Sequence, residues 1–369
     1  MKRLYLIILM LCACYTYSSA QDLTNTLIKQ PIKTAEKMVK RTRGIIGTVG
    51  WLLNDLDSIY VEPNHYNYTL MIENSNWYEF YQFNNTPDKA EGEHAQRMVF
   101  TPNPHYKLGG YFGWSFLFLG WAMDMQQLLD GKKQESNQTE FQLNVYSAIL
   151  GADIYYRKSG NTFKLHDLKG FGPNYDGSYN AQTIDALNVE MRGINTYWVF
   201  NHRRFSYPAA YSQSTNQRHS AGSFIAGFSY SQHKFELNVD NLPDTIRALT
   251  EKSLNINKIK YTDYSVNFGY AYNWVFAKNC LASLSVAPAI AYKITKTQSE
   301  DEVVPASQRI NFDLTTRGGI VWNNGIYYAG ASLVANTYSY RGKNFTLNNG
   351  FGTLRIYAGF NFGKKRKYE

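Results

Sequence analysis

The sequence predicts an all-β protein: a transmembrane antiparallel up-and-down β-barrel of about 14 strands, with about 12 as the alternative count. Three observations carry this. In the last strand-like segment Leu354, Ile356, Ala358, Phe360 and Phe362 share one face, and Arg355, Tyr357, Gly359 and Asn361 share the other. A strand has a period of two, so such a segment has an apolar and a polar side. In residues 260–276 the same pattern is unbroken: Tyr264, Val266, Phe268, Tyr270, Tyr272, Trp274 and Phe276 alternate with Asp263, Ser265, Asn267, Gly269 and Asn273. Finally, the chain opens like an exported protein, its mean hydropathy is −0.41, and past the leader no run of about 18 apolar residues exists to make a helical span. A chain that crosses a bilayer without such a helix must satisfy its backbone between the strands of a closed barrel.

The ends come first. Residues 1–20 read as a secretory signal peptide, with Lys2 and Arg3 before the apolar stretch Leu4 to Leu11 and Ser18-Ser19-Ala20 as a small-residue cleavage site. Leu11-Cys12-Ala13-Cys14 is the rival, a loose lipoprotein box that would put a lipid on Cys14. Cleavage after Ala20 leaves Cys280 without an internal disulfide partner. Residues 21–63 read as a basic leader. Ile32, Ala35, Met38 and Val39 recur at helical spacing behind Pro31, which predicts a periplasmic amphipathic helix. The whole chain carries +9; residues 29–43 hold +5 of this and the tail 364–369 holds +3. With the signal gone, the remainder is near neutral. The basic character therefore belongs to two terminal segments, which excludes a nucleic-acid-binding face and leaves anionic lipid or cell wall as partners for those segments. Aromatic residues make up 16% of the chain, 30 of them tyrosines, as the interfacial girdles of a barrel require.

Residues 64–363 form the barrel. Tyr66, Tyr68, Leu70 and Ile72 open the first strand, Asn74-Ser75-Asn76 reads as a turn, and 77–84 as a second strand. Residues 104–124 are one long strand or a hairpin around Gly113. Strands follow at 139–147 and 150–157, with a short one around Phe163 to Leu168. Ile194, Thr196, Trp198 and Phe200 face outward on the next. Residues 219–231 and 233–240 read as a hairpin turning at Ser231 to His233, and 260–276, 280–294, 307–321, 325–338 and 352–362 complete the set. Long loops at 205–218, 241–259, 295–306 and 339–351 are expected outside, short turns near Ser231, Lys278 and Asn324 inside. Between Asn64 and Glu190 this phase fails, which means that a strand there is split or missed.

Arg309, Asn311, Asp313, Thr315 and Arg317 should point into the lumen together with Asp263, Glu236, Arg203 and Arg355. Charges confined in a narrow lumen are expected to pair, since an unpaired one is costly to desolvate. A filter lining a narrow pore is the competing reading, although such filters show one dominant sign and these residues do not. For catalysis, Ser206 or Ser223 with His202 or His219 are the available nucleophile–base combinations. Glu91-Gly92-Glu93-His94 reads as a solvated loop and not as a metal site. No cofactor motif is present.

Residues 195–228 carry a resemblance: Tyr197-Trp198-Val199-Phe200-Asn201, then Phe205-Ser206-Tyr207-Pro208-Ala209-Ala210-Tyr211-Ser212-Gln213, then Ser220-Ala221-Gly222-Ser223-Phe224. With Tyr66-Asn67-Tyr68, Phe100-Thr101-Pro102-Asn103 and Gly109-Gly110-Tyr111, they resemble a Bacteroidetes outer-membrane barrel family known only as a domain of unknown function, number forty-four twenty-one of that series. The resemblance covers most of residues 60–363 and implies a barrel in a Gram-negative outer membrane, with no activity or catalytic residue to carry over. Within the segment, Arg203, Arg204, Tyr207, Tyr211, Arg218 and His219 are expected to form a compact cap over the mouth, with contact to an anionic lipid or sugar as the alternative. The functional expectation is a non-catalytic structural or surface-exposed barrel. A narrow channel for small solutes or lipids and an envelope-lipid-modifying hydrolase are the alternatives.

Overall fold

The computed structural model describes residues 56–369, apart from 103–104, 115–116, 125–138, 160–162, 173, 176, 179–182, 257, 296–308 and 343. The signal peptide, the Cys14 alternative and the leader helix lie outside the described residues. Strands are β1 (Val61–Pro63), β2 (Tyr66–Asn85), β3 (Arg97–Pro102), β4 (His105–Trp114), β5 (Leu117–Asp124), β6 (Thr139–Tyr146), β7 (Leu150–Ser159), β8 (Phe163–Lys169), β9 (Gly177–Ser178), β10 (Thr183–Ile184) and β11 (Leu187–Val199). After helix α1 (Tyr207–Tyr211) come β12 (Thr215–Gln217) and β13 (Ala221–Leu237). Helix α2 (Asp244–Arg247) precedes β14 (Ile259–Ala277), β15 (Cys280–Thr295), β16 (Ile310–Asn323), β17 (Tyr327–Arg341) and β18 (Phe345–Lys364).

All strands except β1 and β12 belong to one antiparallel sheet of 16 strands. Its ladder runs from β6 through β7, β11 and β13 to β18, then to β2. The long β2 pairs with β3 along its second half and β4 along its first, and these pair in turn with β8 and β5. Taking β3 with β4 and β5 with β8 as single staves, the wall has twelve, the lower of the two expected counts. It curls until β7 side chains meet those of β2, β16 and β17 across the interior. Among the described residues no ladder joins β6 to the β5/β8 stave.

The two faces of the wall are separated by environment. On β14 the seven aromatic or branched residues from Tyr264 to Phe276 are 41–64% exposed, whereas Asp263, Ser265, Asn267 and Asn273 are at most 4% exposed. The outward row is what lipid contacts in a transmembrane barrel. The inward row is the core. Gly193 shows how full that core is: a Cβ there would stand 2.7 Å from the Tyr155 hydroxyl and 2.8 Å from Ser231 Cβ.

Three expectations are corrected. Asn74-Ser75-Asn76 is no turn, because β2 runs unbroken and its Asn74 side chain donates to the Lys107 carbonyl of the neighbouring strand. Ser231–His233 is no turn either; β13 pairs continuously with β14 from Ala221 to Phe235. Residues 339–351 are mostly strand, since β17 and β18 pair up to Arg341 and Thr346. With the Ser231 turn gone, the 200–220 connection moves to the same end as the short turns at 278–279 and 324–326, opposite to 238–258.

Candidate functional site

The inward face is layered along the barrel axis. On β14 the order is Tyr261, then Asp263, Ser265 and Asn267, then Ala271; on β2 it is Tyr81, then Glu79, Ser75 and Glu73. An apolar core fills the end with the long loops, a polar belt crosses the middle, and a second, aromatic cluster fills the end with the short turns.

The belt consists of ion pairs, some between opposite walls. Arg157 of β7 donates to Glu79 of β2 at 2.9 Å, and both side chains are nearly inaccessible. The other Glu79 oxygen accepts from Tyr81 at 2.7 Å and Ser159 at 2.9 Å. The Arg157 guanidinium lies over the rings of Trp77 at 4.0 Å and Phe351 at 4.1 Å, so its weakly hydrated faces are covered as well. Lys293 donates to Asp263 at 3.0 Å and to Asp313 at 2.9 Å. Arg317 of β16 pairs with Asp153 of β7, and Arg355 of β18 lies 3.8 Å from Glu73 of β2. A buried pair of this kind needs its partner; loss of one charge leaves the other desolvated.

Of the sequence-predicted lumen residues, Asp263, Asp313, Arg317 and Arg355 lie in this belt. Glu236 does not: on β13 the inward positions are Ser231, His233, Phe235 and Leu237, so Glu236 points outward and pairs with Lys234 at 3.1 Å and Lys258 at 2.8 Å. Arg309 precedes β16 at the rim, with Nη1 3.4 Å from the outward Tyr292 hydroxyl. Arg203 sits in an exposed turn whose carbonyl accepts from Asp57 N. Glu79, Arg157, Asp153, Glu73 and Lys293 were not anticipated. Their strands carry the alternation that places them inward, so facing was the available signal; partnership across the lumen was not.

The predicted cap is a plug in the mouth at the short-turn end, here termed the inner mouth, the long-loop end being termed the outer. Ser206 caps α1, its Oγ accepting from Ala209 N at 3.3 Å, with Pro208 in the first turn. The helix stands inside the wall. Tyr207 Oη is 2.6 Å from Ser285 Oγ, and Asn273 donates to the Ser206 carbonyl at 2.8 Å and to Gln217 at 3.0 Å. The Tyr357 hydroxyl donates to the Ala210 carbonyl at 3.3 Å, and Arg355 donates to that of Tyr211 at 3.3 Å. Gln213 takes a left-handed φ of 58°, held by donation from its amide to Tyr357 at 2.8 Å. Outside the plug, β1 pairs with β12, tying the chain before the barrel to the loop that enters it. Arg218 pairs with Glu62, His219 packs edge-on against Tyr60, and Arg204 lies 4.9 Å over the same ring. Tyr207 and Tyr211 are therefore core residues of the plug, and Arg204, Arg218 and His219 brace its outer side.

The serines of the available Ser/His combinations are engaged otherwise. Ser206 is a helix cap, and Ser223 accepts from Asn201 N and donates to the Phe224 carbonyl. The structure instead pairs Ser231 Oγ with His233 Nε2 at 2.8 Å, inside the belt, where both residues are at most 3% exposed. Glu91, Glu93 and His94 face Lys252, Ser253 and Glu251 of the opposite outer segment. No group of metal-ligating side chains occurs among the described residues.

Residues 55–362 match the family described as Domain of unknown function (DUF4421), and the chain belongs to that family. Among curated proteins none matches the sequence. Solved structures with similarity include the outer membrane protease OmpT from Escherichia coli (7% identity, TM-score 0.33, covering 84% of this chain and 100% of that one). They include the outer membrane protein OprG from Pseudomonas aeruginosa (8% identity, TM-score 0.27, 82% and 98%). The toluene transporter TodX of Pseudomonas putida is a third (7% identity, TM-score 0.21, 84% and 94%).

Proposed function

We propose that this protein is a non-conducting outer-membrane barrel with a structural or surface-display role. One observation carries the reading: the lumen is occupied along its axis by α1, by the ion-pair belt and by an apolar core. An open pore needs a continuous wet path. Here Arg157–Glu79 and Arg317–Asp153 bridge opposite walls, and Tyr155 and Tyr338 meet at 3.1 Å. The lipid-facing exterior and the export-type leader support the outer membrane as its location. The segments at 86–96 and 238–258 then face the exterior. Gln96 links them, donating to the Leu249 carbonyl at 2.7 Å and accepting from Glu251 N at 2.9 Å.

Planar-bilayer recording of the folded protein tests this. The expected result is no discrete conductance from the native chain. Unitary steps from the native chain would overturn the reading in favour of a narrow channel. The hydrolase alternative requires lipid to reach the enclosed Ser231–His233 pair. Purified protein incubated with phospholipid and lipopolysaccharide should return both unchanged by mass spectrometry, and a deacylated product would restore that alternative.

A further inference from the structure

The outward face of β7, β11, β13 and β14 carries an ordered set of charges at the outer end. Strand register puts Lys158, Glu190, Lys234 and Lys260 directly opposite one another in one row across the four strands. The adjacent row toward the membrane holds Tyr156, Arg192, Gln232 and Thr262, and the next holds Ile154, Ile194, Tyr230 and Tyr264. Beyond the lysine row, Glu236 holds Lys234 and Lys258. The sector thus sets five cations, Lys158, Arg192, Lys234, Lys258 and Lys260, against Glu190 and Glu236. A cleft of about 310 Å³ lies among Glu190, Arg192, Gln232, Lys234, Lys260 and Thr262.

Position decides what this sector faces. Lysine and arginine on the lipid side of a barrel are strongly unfavourable in hydrocarbon and tolerated at the interface. Tyr156 beside Arg192, and Tyr230 and Tyr264 one row below it, mark that interface. The cations therefore stand at headgroup height, at the end opposite the short turns. They are not a uniform ring. On the other side of the barrel the corresponding rows are Gln82, Asn348 and Ser339, then Asn84, Thr346 and Arg341. Arg192 is already oriented, its guanidinium donating to the Gln232 carbonyl oxygen Oε1 at 2.9 Å and 2.6 Å. Lys260 makes no ion pair among the described residues.

We propose that this sector is a lateral binding site for the phosphorylated sugar headgroup of an outer-leaflet glycolipid. Arg192, Lys234 and Lys260 engage the phosphate, and the acyl chains lie on the apolar rows below. Charge-assisted hydrogen bonds from arginine and lysine to phosphate give the site its selectivity. The cation rows stand directly beside the lipid-facing girdle, which is why the phosphate is assigned to a membrane lipid and not to a free anion. The proposal rests on the outer-membrane reading given above.

Native mass spectrometry of the detergent-solubilised full-length protein tests it, with phosphorylated lipid A, enzymatically dephosphorylated lipid A and phosphatidylethanolamine as probes. Retention of phosphorylated lipid A should fall about tenfold or more in the triple variant R192Q/K234Q/K260Q and stay unchanged in R341Q. Dephosphorylated lipid A and phosphatidylethanolamine should be retained weakly by all forms. Equal retention by the native and triple-variant proteins, or of the two lipid A forms, overturns the site. Displacement of lipid A by an equal concentration of inorganic phosphate overturns the assignment to a lipid. Heat-modifiable gel migration verifies folding, and K260Q alone replaces the triple variant if that fails to fold. Co-fractionation with outer membranes is measured separately, so failure of the location is distinguished from failure of the site.

Discussion

The two mouths of this barrel are closed by different physics. At the outer mouth the wall fills itself: Phe83, Phe100, Leu165, Val189, Phe235 and Leu347 converge as in a soluble core, and Leu242, Ile246, Leu254 and Ile256 close it from the 238–258 segment. At the inner mouth a loop enters the lumen and is tied by directional bonds, from Tyr207 to Ser285, Asn273 to Ser206 and Gln213 to Tyr357. Apolar packing is non-directional and tolerant of shape, whereas a hydrogen-bonded plug specifies one seating. Between them Arg157–Glu79 and Arg317–Asp153 join walls that share no ladder.

Substitutions sharpen this contrast. The largest effect is expected in the belt. Arg157→Met leaves the Glu79 carboxylate buried without its cation and should lower folding stability by about 3–5 kcal/mol in urea titrations in detergent. Adding Glu79→Gln should recover much of that loss; strict additivity would mean that the two side chains are not coupled. At the outer mouth, Ile246→Ala should cost about 2–5 kcal/mol through the cavity it leaves, and it should act without opening the inner mouth to protease. At the inner mouth, Asn273→Ala removes the donor to Ser206 and Gln217 and should cost about 1–3 kcal/mol. Its signature is faster cleavage within 200–220 rather than global unfolding, and an unchanged cleavage rate would argue against the tether.

The smallest effect concerns acid. Hydrogen bonds from the Asp88 amide, then from the Ser253 side chain and more weakly its amide, hold the Glu93 carboxyl below its ordinary value of 4.5. A carboxylate with a lowered pKa in the folded state contributes fully above its unfolded value and loses that contribution as pH falls through the folded one. The Asp88 and Ser253 amide resonances should therefore titrate with a midpoint below 4.5 and become silent in Glu93→Gln. A midpoint at or above 4.5 would show that these bonds are not made.

Legibility in the sequence follows the same layering. Where the wall has lipid outside and the belt inside, as from Tyr264 to Asn273, the period of two is plain. Around Ser231 it vanishes. Ser231 and His233 face the polar belt while Gln232 faces outward beside Arg192, so both faces are polar at that height. A polar run of this kind looks like a turn. Reading it so adds one crossing, and one extra crossing reverses the side of everything before it; this is how the 205–218 segment was expected with the outer loops. The Asn74-Ser75-Asn76 run misleads for a related reason, since Asn74 and Asn76 bond to each other and to the next strand instead of bending the chain.

By itself the amino-acid order determined that this chain is a lipid-facing barrel, which residues of its clean strands look inward, and that inward charges must pair. It did so because alternation is a local property, readable two residues at a time. Tertiary structure alone decided which charges pair, that the 200–220 loop plugs the inner mouth, and that lysines from separate strands line up in one row. Those outcomes depend on the register and number of staves, which bring together residues such as Glu79 and Arg157, 78 positions apart in the chain.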